Sequence, residues 1–288
     1  MQFIYFGLIT GSVLAVAAAG FAMVRQLEGF LNIAHGQYLL LGGLFTAGFY
    51  KLGLNIFVAG FLASVAVGLV GVAIAWMVFF PLRYKGLLSQ FFSSIGVAFV
   101  VYGLVLATWS GSGIKVIPAD FGRPFDLGSI SVTFGELMII GVSWLTVLML
   151  HFFLTKTTMG VWIRAVASNR ELARVRSVPS DIVMSVVWFA ASAMAGLAGV
   201  LVGLLGSVHS ELGWQYILTI LAVSVMGGVN NLYGVMAAGL ILGLVVDLSS
   251  VFISSQYGTI VTFGAIILTL IIRPQGLFSM QKRNEAGQ

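Results

Sequence analysis

The side chains able to do chemistry are few, and most of them crowd into one stretch. Of fourteen Lys and Arg, five (Lys156, Arg164, Arg170, Arg174 and Arg176) fall within residues 155–181, together with Glu171 and Asp181. Such a set has no nucleophile beside a general base. Cations in this pattern bind anionic headgroups or the surface of a partner protein. The other ionisable groups stand singly. His35, His151 and His209 have no Asp, Glu or His at ligand spacing, so a metal site is not expected. There is no cysteine, hence neither thiol chemistry nor a disulfide framework. No G-x-x-x-x-G-K-[ST] run is present to cradle a nucleotide phosphate, and no catalytic residue is expected.

The elements that must hold these groups are membrane helices. The chain has 288 residues, 59% hydrophobic and 8% charged. A soluble domain carries roughly a quarter charged residues. Apolar runs of about 20 residues recur without strand-like alternation, which predicts an all-α polytopic membrane protein. The net charge of +5 is then a topology signal and not a nucleic-acid footprint. Thirty-six glycines suit close helix packing, and Gly7/Gly11, Gly199/Gly203 and Gly239/Gly243 have small-xxx-small spacing. The first apolar run starts without a basic leader and reads as a retained span.

Full spans are expected over 3–24, 54–79, 86–108, 132–154, 182–206, 232–249 and 258–273. Residues 37–50 and 216–229 are too short to cross a ~30 Å core and read as discontinuous segments, for a total of eight or nine transmembrane helices. Breaks lie beside both, at Asn32-Ile-Ala-His-Gly36 and Gly227-Gly-Val-Asn-Asn231. The loop 109–131 is polar, with a small hairpin expected within 116–132. Ten of the fourteen basic residues fall in 83–85, 155–181 and the segment from Arg273 onward, which places those regions and the C-terminus in the cytoplasm. The side of the N-terminus depends on whether 37–50 crosses.

Within the basic stretch, Ser168-Asn-Arg-Glu171 matches a capping box and predicts a helix starting at Ser168 and ended by Pro179. Leu172 and Val175 share one face, Arg170 and Arg174 another. Such an amphipathic helix has two uses: lying on anionic lipid, or filling a groove of a cytoplasmic partner.

These residues resemble a known family. Thr158-Met-Gly160, Ile163-Arg-Ala-Val-Ala167, Asn169-Arg170-Glu171 and Ala173 are similar to the cytoplasmic loop of ATP-binding-cassette (ABC) importer permeases of the branched-chain amino acid (Liv) and urea-amide type. Asn32-Ile-Ala-His-Gly36 is similar to that family's N-[FI]-A-H-G motif. Gly227-Gly228, Gly234 and Gly239 are similar to its glycine-rich segment. The chain departs from the pattern at Val161, Trp162, Ser177-Val178-Pro179, Asn230, Asn231 and Tyr233.

The resemblance implies a permease domain over 1–275 and a polar cytoplasmic tail over 276–288, in a bacterial inner membrane. It implies a second homologous permease chain, two cytoplasmic ABC ATPases that bind the ATP, a periplasmic solute-binding protein meeting loop 109–131, and no cofactor in this chain. It makes Arg164, Arg170, Glu171, Leu172, Arg174 and Val175 ATPase-coupling residues. Asn32, His35, Gly36, Gly227, Gly228 and Asn230 become candidates for the translocation pathway, since transporters place solute sites where broken helices meet. The solute would be a branched-chain amino acid, an amide or urea.

His35 has a second reading, as a histidine that bonds neighbouring backbone and orients the break. Asn32 caps the following segment or touches solute. Glu28 and Arg25 have the spacing of a helical ion pair. Two further functions stay open: a stand-alone secondary transporter or channel, which would need mid-span acids, and a ribose-type sugar permease. Only Glu28, Glu136, Asp247 and His35 could serve the former.

Overall fold

An apolar chain in lipid pairs its own backbone groups, and helices dominate the result. The computed structural model describes residues 2–109, 115–116, 124–127, 130–228, 231–252 and 257–278. In chain order the helices are α1 (Gln2–Glu28), α2 (His35–Lys51), α3 (Ile56–Ile74), α4 (Phe80–Leu82), α5 (Leu87–Trp109) and α6 (Phe134–Lys156). There follow α7 (Thr158–Ser168), α8 (Arg170–Val175), α9 (Ser180–Leu205), α10 (Leu212–Gly227), α11 (Leu232–Ser249) and α12 (Gly258–Ile272).

A π turn, Ala75–Phe79, joins α3 and α4 into one rod ending at Leu82. The sequence placed the end of this span at residue 79, before Pro81. The rod runs past it because Pro81 sits in the first turn of α4, where a missing N–H is tolerated. Against the expected eight or nine spans, six helices among the described residues are long and apolar enough to cross: α1, the α3–α4 rod, α5, α6, α9 and α11. α10 and α12 are shorter apolar helices. α2 has 17 residues, a rise of about 25 Å.

The expected hairpin is β2 (Phe125–Leu127) antiparallel to β3 (Ile130–Val132). β1 (Lys115–Val116) pairs instead with β4 (Ser207–Val208), which follows α9. Residues 110–114, 117–123 and 128–129 of this loop, among them Gly122 and Arg123, lie outside the described residues, as does the tail beyond 278.

α1 and α9 are buried along most of their length, while α5 and α6 are largely exposed. The small-residue pairs explain how α1 reaches the centre. Gly7 faces Leu244 and Gly11 faces Leu240, so α1 and α11 run antiparallel with backbones nearly touching. α2 crosses α9 the same way, Gly42 against Gly196.

A methyl group at Gly42 would collide with the Gly196 carbonyl, whereas one at Gly264 meets open space. Gly42→Ala is therefore expected to destabilise the protein by about 1–3 kcal/mol, and Gly264→Ala to change stability by less than about 0.5 kcal/mol. Thermal unfolding in detergent checks both, and equal midpoints would remove the packing argument.

Candidate coupling surface and membrane break

The break after α1 is built first. Gly29, at φ +82°, leaves the helix through a left-handed turn that other residues adopt only with strain. The backbone of 29–34 then folds back along α1. His35 Nε2 lies 3.0 Å from the Ala17 carbonyl, about 16 Å up α1 from Glu28. A carbonyl can only accept, so this nitrogen carries the proton. Non-helical backbone at this depth needs protein partners. Ser94 of α5 supplies one: its hydroxyl accepts from the Ile33 N–H at 3.1 Å and faces the Leu31 carbonyl at 3.3 Å. The His35 N–H donates to the Asn32 carbonyl at 3.2 Å. The Asn32 side chain is buried, and neither of its amide atoms finds a partner among the described residues.

α2 starts here, against the start of α10. Gly36 packs on the Gly213 backbone, and Gln37 lies over the same glycine. The two short segments therefore meet at their N-terminal turns. Gly227 and Gly228 lie at the far end of α10, about 24 Å away by helix length. Gly227, at the end of α10, packs on Val235 in the first turn of α11, and Gly228, at φ +92°, lies against Gly276. The Asn231 amide donates to the Phe278 carbonyl at 2.7 Å, tying the C-terminal segment to the start of α11. Asn230 lies outside the described residues.

At the basic end, Glu28 does not pair with Arg25. Its carboxylate takes two bonds from Arg83, Nη2 to Oε1 at 2.9 Å and Nε to Oε2 at 3.3 Å, both side chains being buried. The helical spacing lost because Arg83, in the turn after α4, presents two donors in a fixed fork that a carboxylate matches. The Trp188 indole N–H adds a bond to Glu28 at 3.2 Å, and Trp188 itself stacks on Phe79 at 4.7 Å. Arg83 covers the Phe80 ring at 4.1 Å and reaches Asp181 at 3.2 Å. Asp181 lies 3.7 Å from Arg170 of α8. Burial lowers the Arg170 guanidinium pKa below its ordinary value, with nearby Arg83 adding to the effect. Arg174 donates to the Tyr84 hydroxyl at 3.3 Å, a bond that raises the Arg174 pKa and lowers that of Tyr84.

α8 itself starts later than the capping box implied. Ser168 ends α7, and Asn169 caps α8, accepting from the Leu172 N–H at 2.9 Å. Asn is as good a cap as Ser, and at 169 its carboxamide meets the Leu172 N–H three residues on. Pro179 does not end α8 either; it precedes α9. The end is Ser177, at φ +59°, with its N–H on the Arg174 carbonyl at 2.9 Å and the Val178 N–H on that of Ala173 at 3.0 Å. This is a Schellman closure with serine in the glycine position. Ala173 is buried, whereas Leu172 and Val175 are 58% and 79% exposed. Glu171 lies in the first turn of α8, where an acid complements the helix dipole. Arg164, on α7, donates to the Leu154 carbonyl near the end of α6.

Residues 3–270 match the model of the family described as "Branched-chain amino acid transport system / permease component". The chain belongs to that permease family. It is 29% identical to the high-affinity branched-chain amino acid transport system permease protein LivH of Escherichia coli K12, over 96% of each chain. It is 27% identical to BraD of Pseudomonas aeruginosa, a permease protein of the same description, over 94% of this chain and 93% of that one. It is 24% identical to the E. coli K12 ribose import permease protein RbsC, over 91% and 82%. Among solved structures, PsaBC from Streptococcus pneumoniae in complex with Fab has a similar fold, with TM-score 0.50 and 16% identity over 96% of this chain and 93% of that one.

For this permease, sequence reasoning missed the Glu28–Arg83–Asp181 network. Its members lie 55 and 98 residues apart, so no local spacing reveals them. The signal in the sequence is an acid at the end of α1 and an arginine just past a proline.

Arg83→Met alone leaves Glu28 buried and uncompensated, and is expected to cost about 3–5 kcal/mol. Glu28→Met with Arg83→Met should cost less than the sum of the single changes by roughly 0.5–3 kcal/mol. A double-mutant cycle measured by denaturation in mixed micelles checks this; strict additivity would sink it. Ser177→Gly should stabilise the permease by about 1 kcal/mol by removing a left-handed Cβ, read in the same assay.

Proposed function

We propose that this permease is the membrane subunit of an ABC importer, moving a small zwitterionic or polar solute of the branched-chain amino acid, amide or urea class across a bacterial inner membrane. The basic end is cytoplasmic. There α8 docks in a groove of a separate ATPase, which binds and hydrolyses the ATP. A second homologous permease chain, a second ATPase and a periplasmic solute-binding protein complete the machine. The observation that carries the reading is α8. It shows Leu172 and Val175 to solvent while Asn169 and Ser177 close both of its ends. An apolar pair held out from a pinned helix is a ready knob for a partner's groove.

Nucleotide-driven movement of the ATPases would reach the spans through Arg170–Asp181–Arg83–Glu28, hence α1 and α9 together. The break at Asn32–Gly36, where α2 meets α10, is the candidate gate. The unpartnered Asn32 amide supports a role in the pathway, while the His35–Ala17 bond supports a positioning role for His35.

Leu172→Asp alters an exposed side chain and should leave folding intact. It should weaken capture of the co-expressed ATPase at least tenfold, about 1.4 kcal/mol, and reduce solute uptake in parallel. Unchanged co-purification and unchanged uptake would refute the docking role.

A further inference from the structure

Two cavities open side by side against Tyr233, and their walls differ in kind. The first, about 540 Å³, lies at the basic end between α1, α6, α7 and the start of α11. Arg164, Gln26, Thr155 and Asn231 are its polar wall, and among the described residues no Asp or Glu lines it. Arg164 gives one N–H to the Leu154 carbonyl, and among the described residues it forms no ion pair. Gln26 Nε2 is buried and finds no partner among the described residues. The second cavity, about 220 Å³, continues along α1, α6 and α11 between Ala15, Trp144, Met236 and Leu240. Its wall is apolar apart from two serines: Ser12 bonds its own helix at Leu8, and Ser143 finds no partner among the described residues. Trp144 and Tyr233 are each nearly half exposed, so the groove opens on the outer surface of the helices.

A cation and an amide donor left unpaired, with no acid beside them among the described residues, make a site for an anion. A dry apolar groove leading from it into the membrane layer suits a hydrocarbon chain. Free phosphate would leave the groove unused, and a small zwitterion would leave its ammonium without a carboxylate. Basic pockets between membrane helices accept anionic lipid headgroups on this principle. We propose that the two cavities form one site for an anionic phospholipid, its phosphate against Arg164 and Gln26 and one acyl chain along the groove from Tyr233 to Leu240. The site involves neither α8 nor the Asn32 break, and it stands whether or not the importer reading does.

The test is native mass spectrometry of the full chain, delipidated in neutral detergent and titrated with phosphatidylglycerol or phosphatidylcholine of identical acyl chains. Phosphatidylglycerol is expected to bind about five-fold more tightly, the effect of one arginine near the headgroup. Arg164→Gln should erase that preference, Arg164→Lys should keep it, and Ala237→Phe, which fills the groove, should weaken both lipids. Equal binding of the two lipids to the unaltered protein would overturn the proposal, independently of how any variant folds. So would a preference that survives Arg164→Gln, undiminished binding to Ala237→Phe, or displacement of the lipid by inorganic phosphate or leucine alone.

Discussion

The buried pair of Glu28 and Arg83 is the contact on which the basic end of the molecule hangs. Withdrawing two charges from water costs several kcal/mol for each ion, and only close geometry with further hydrogen bonds offsets it. Both conditions are met by residues from separate elements. Glu28 ends α1, Arg83 follows the α3–α4 rod, and Trp188 and Asp181 belong to α9. None of these helices can shift alone without uncovering a charge. α8 shares the constraint, because Arg170 reaches Asp181 and Arg174 reaches Tyr84, next to Arg83. A polar loop that would otherwise drift over the surface is thereby pinned to the most buried helices.

The same logic of unsatisfied polar groups shapes the break between α1 and α2. Leaving the helix at Gly29 frees backbone donors and acceptors where lipid could not satisfy them. They are met by Ser94, by the Asn32 carbonyl, and by a turn enclosed among α1, α5 and α10. α2 starts at depth, and its first turn rests on that of α10. Two helices too short to cross thus lean on one another through glycine.

Much of this was legible in the chain. Apolar run length gave the helices to within a few residues, and the small-xxx-small pairs at Gly7/Gly11 and Gly239/Gly243 marked the α1–α11 seam. The family resemblance rested on local motifs, and the match over residues 3–270 agrees with it. What escaped was set by distance or by fine competition. Glu28 chose a partner 55 residues away over one three residues away, which only tertiary structure decides. Asn169 took the cap from Ser168 because Asn and Ser are nearly equal as caps, and Ser177 took the left-handed position against its own preference, held there by the bonds of the closing turn. The residues expected to share a pathway lie apart: Asn32, His35 and Gly36 gather at one end of α10, Gly227 and Gly228 at the other.

The π turn before Pro81 sets the rotational phase of the charge below it. Gly71, Ala75, Phe79 and Arg83 follow at four-residue steps, and the first three are buried. In an unbroken α-helix each such step overshoots a full turn by roughly 40°, which would carry position 83 about 120° off the packed face, toward lipid. The wider turn takes up one extra residue, or roughly 100° of that drift. Arg83 therefore meets Glu28 because the rod above it is locally unwound. The length of the chain between Gly71 and Arg83 is as much a part of the ion pair as its two side chains, and losing one residue there would turn a buried cation outward.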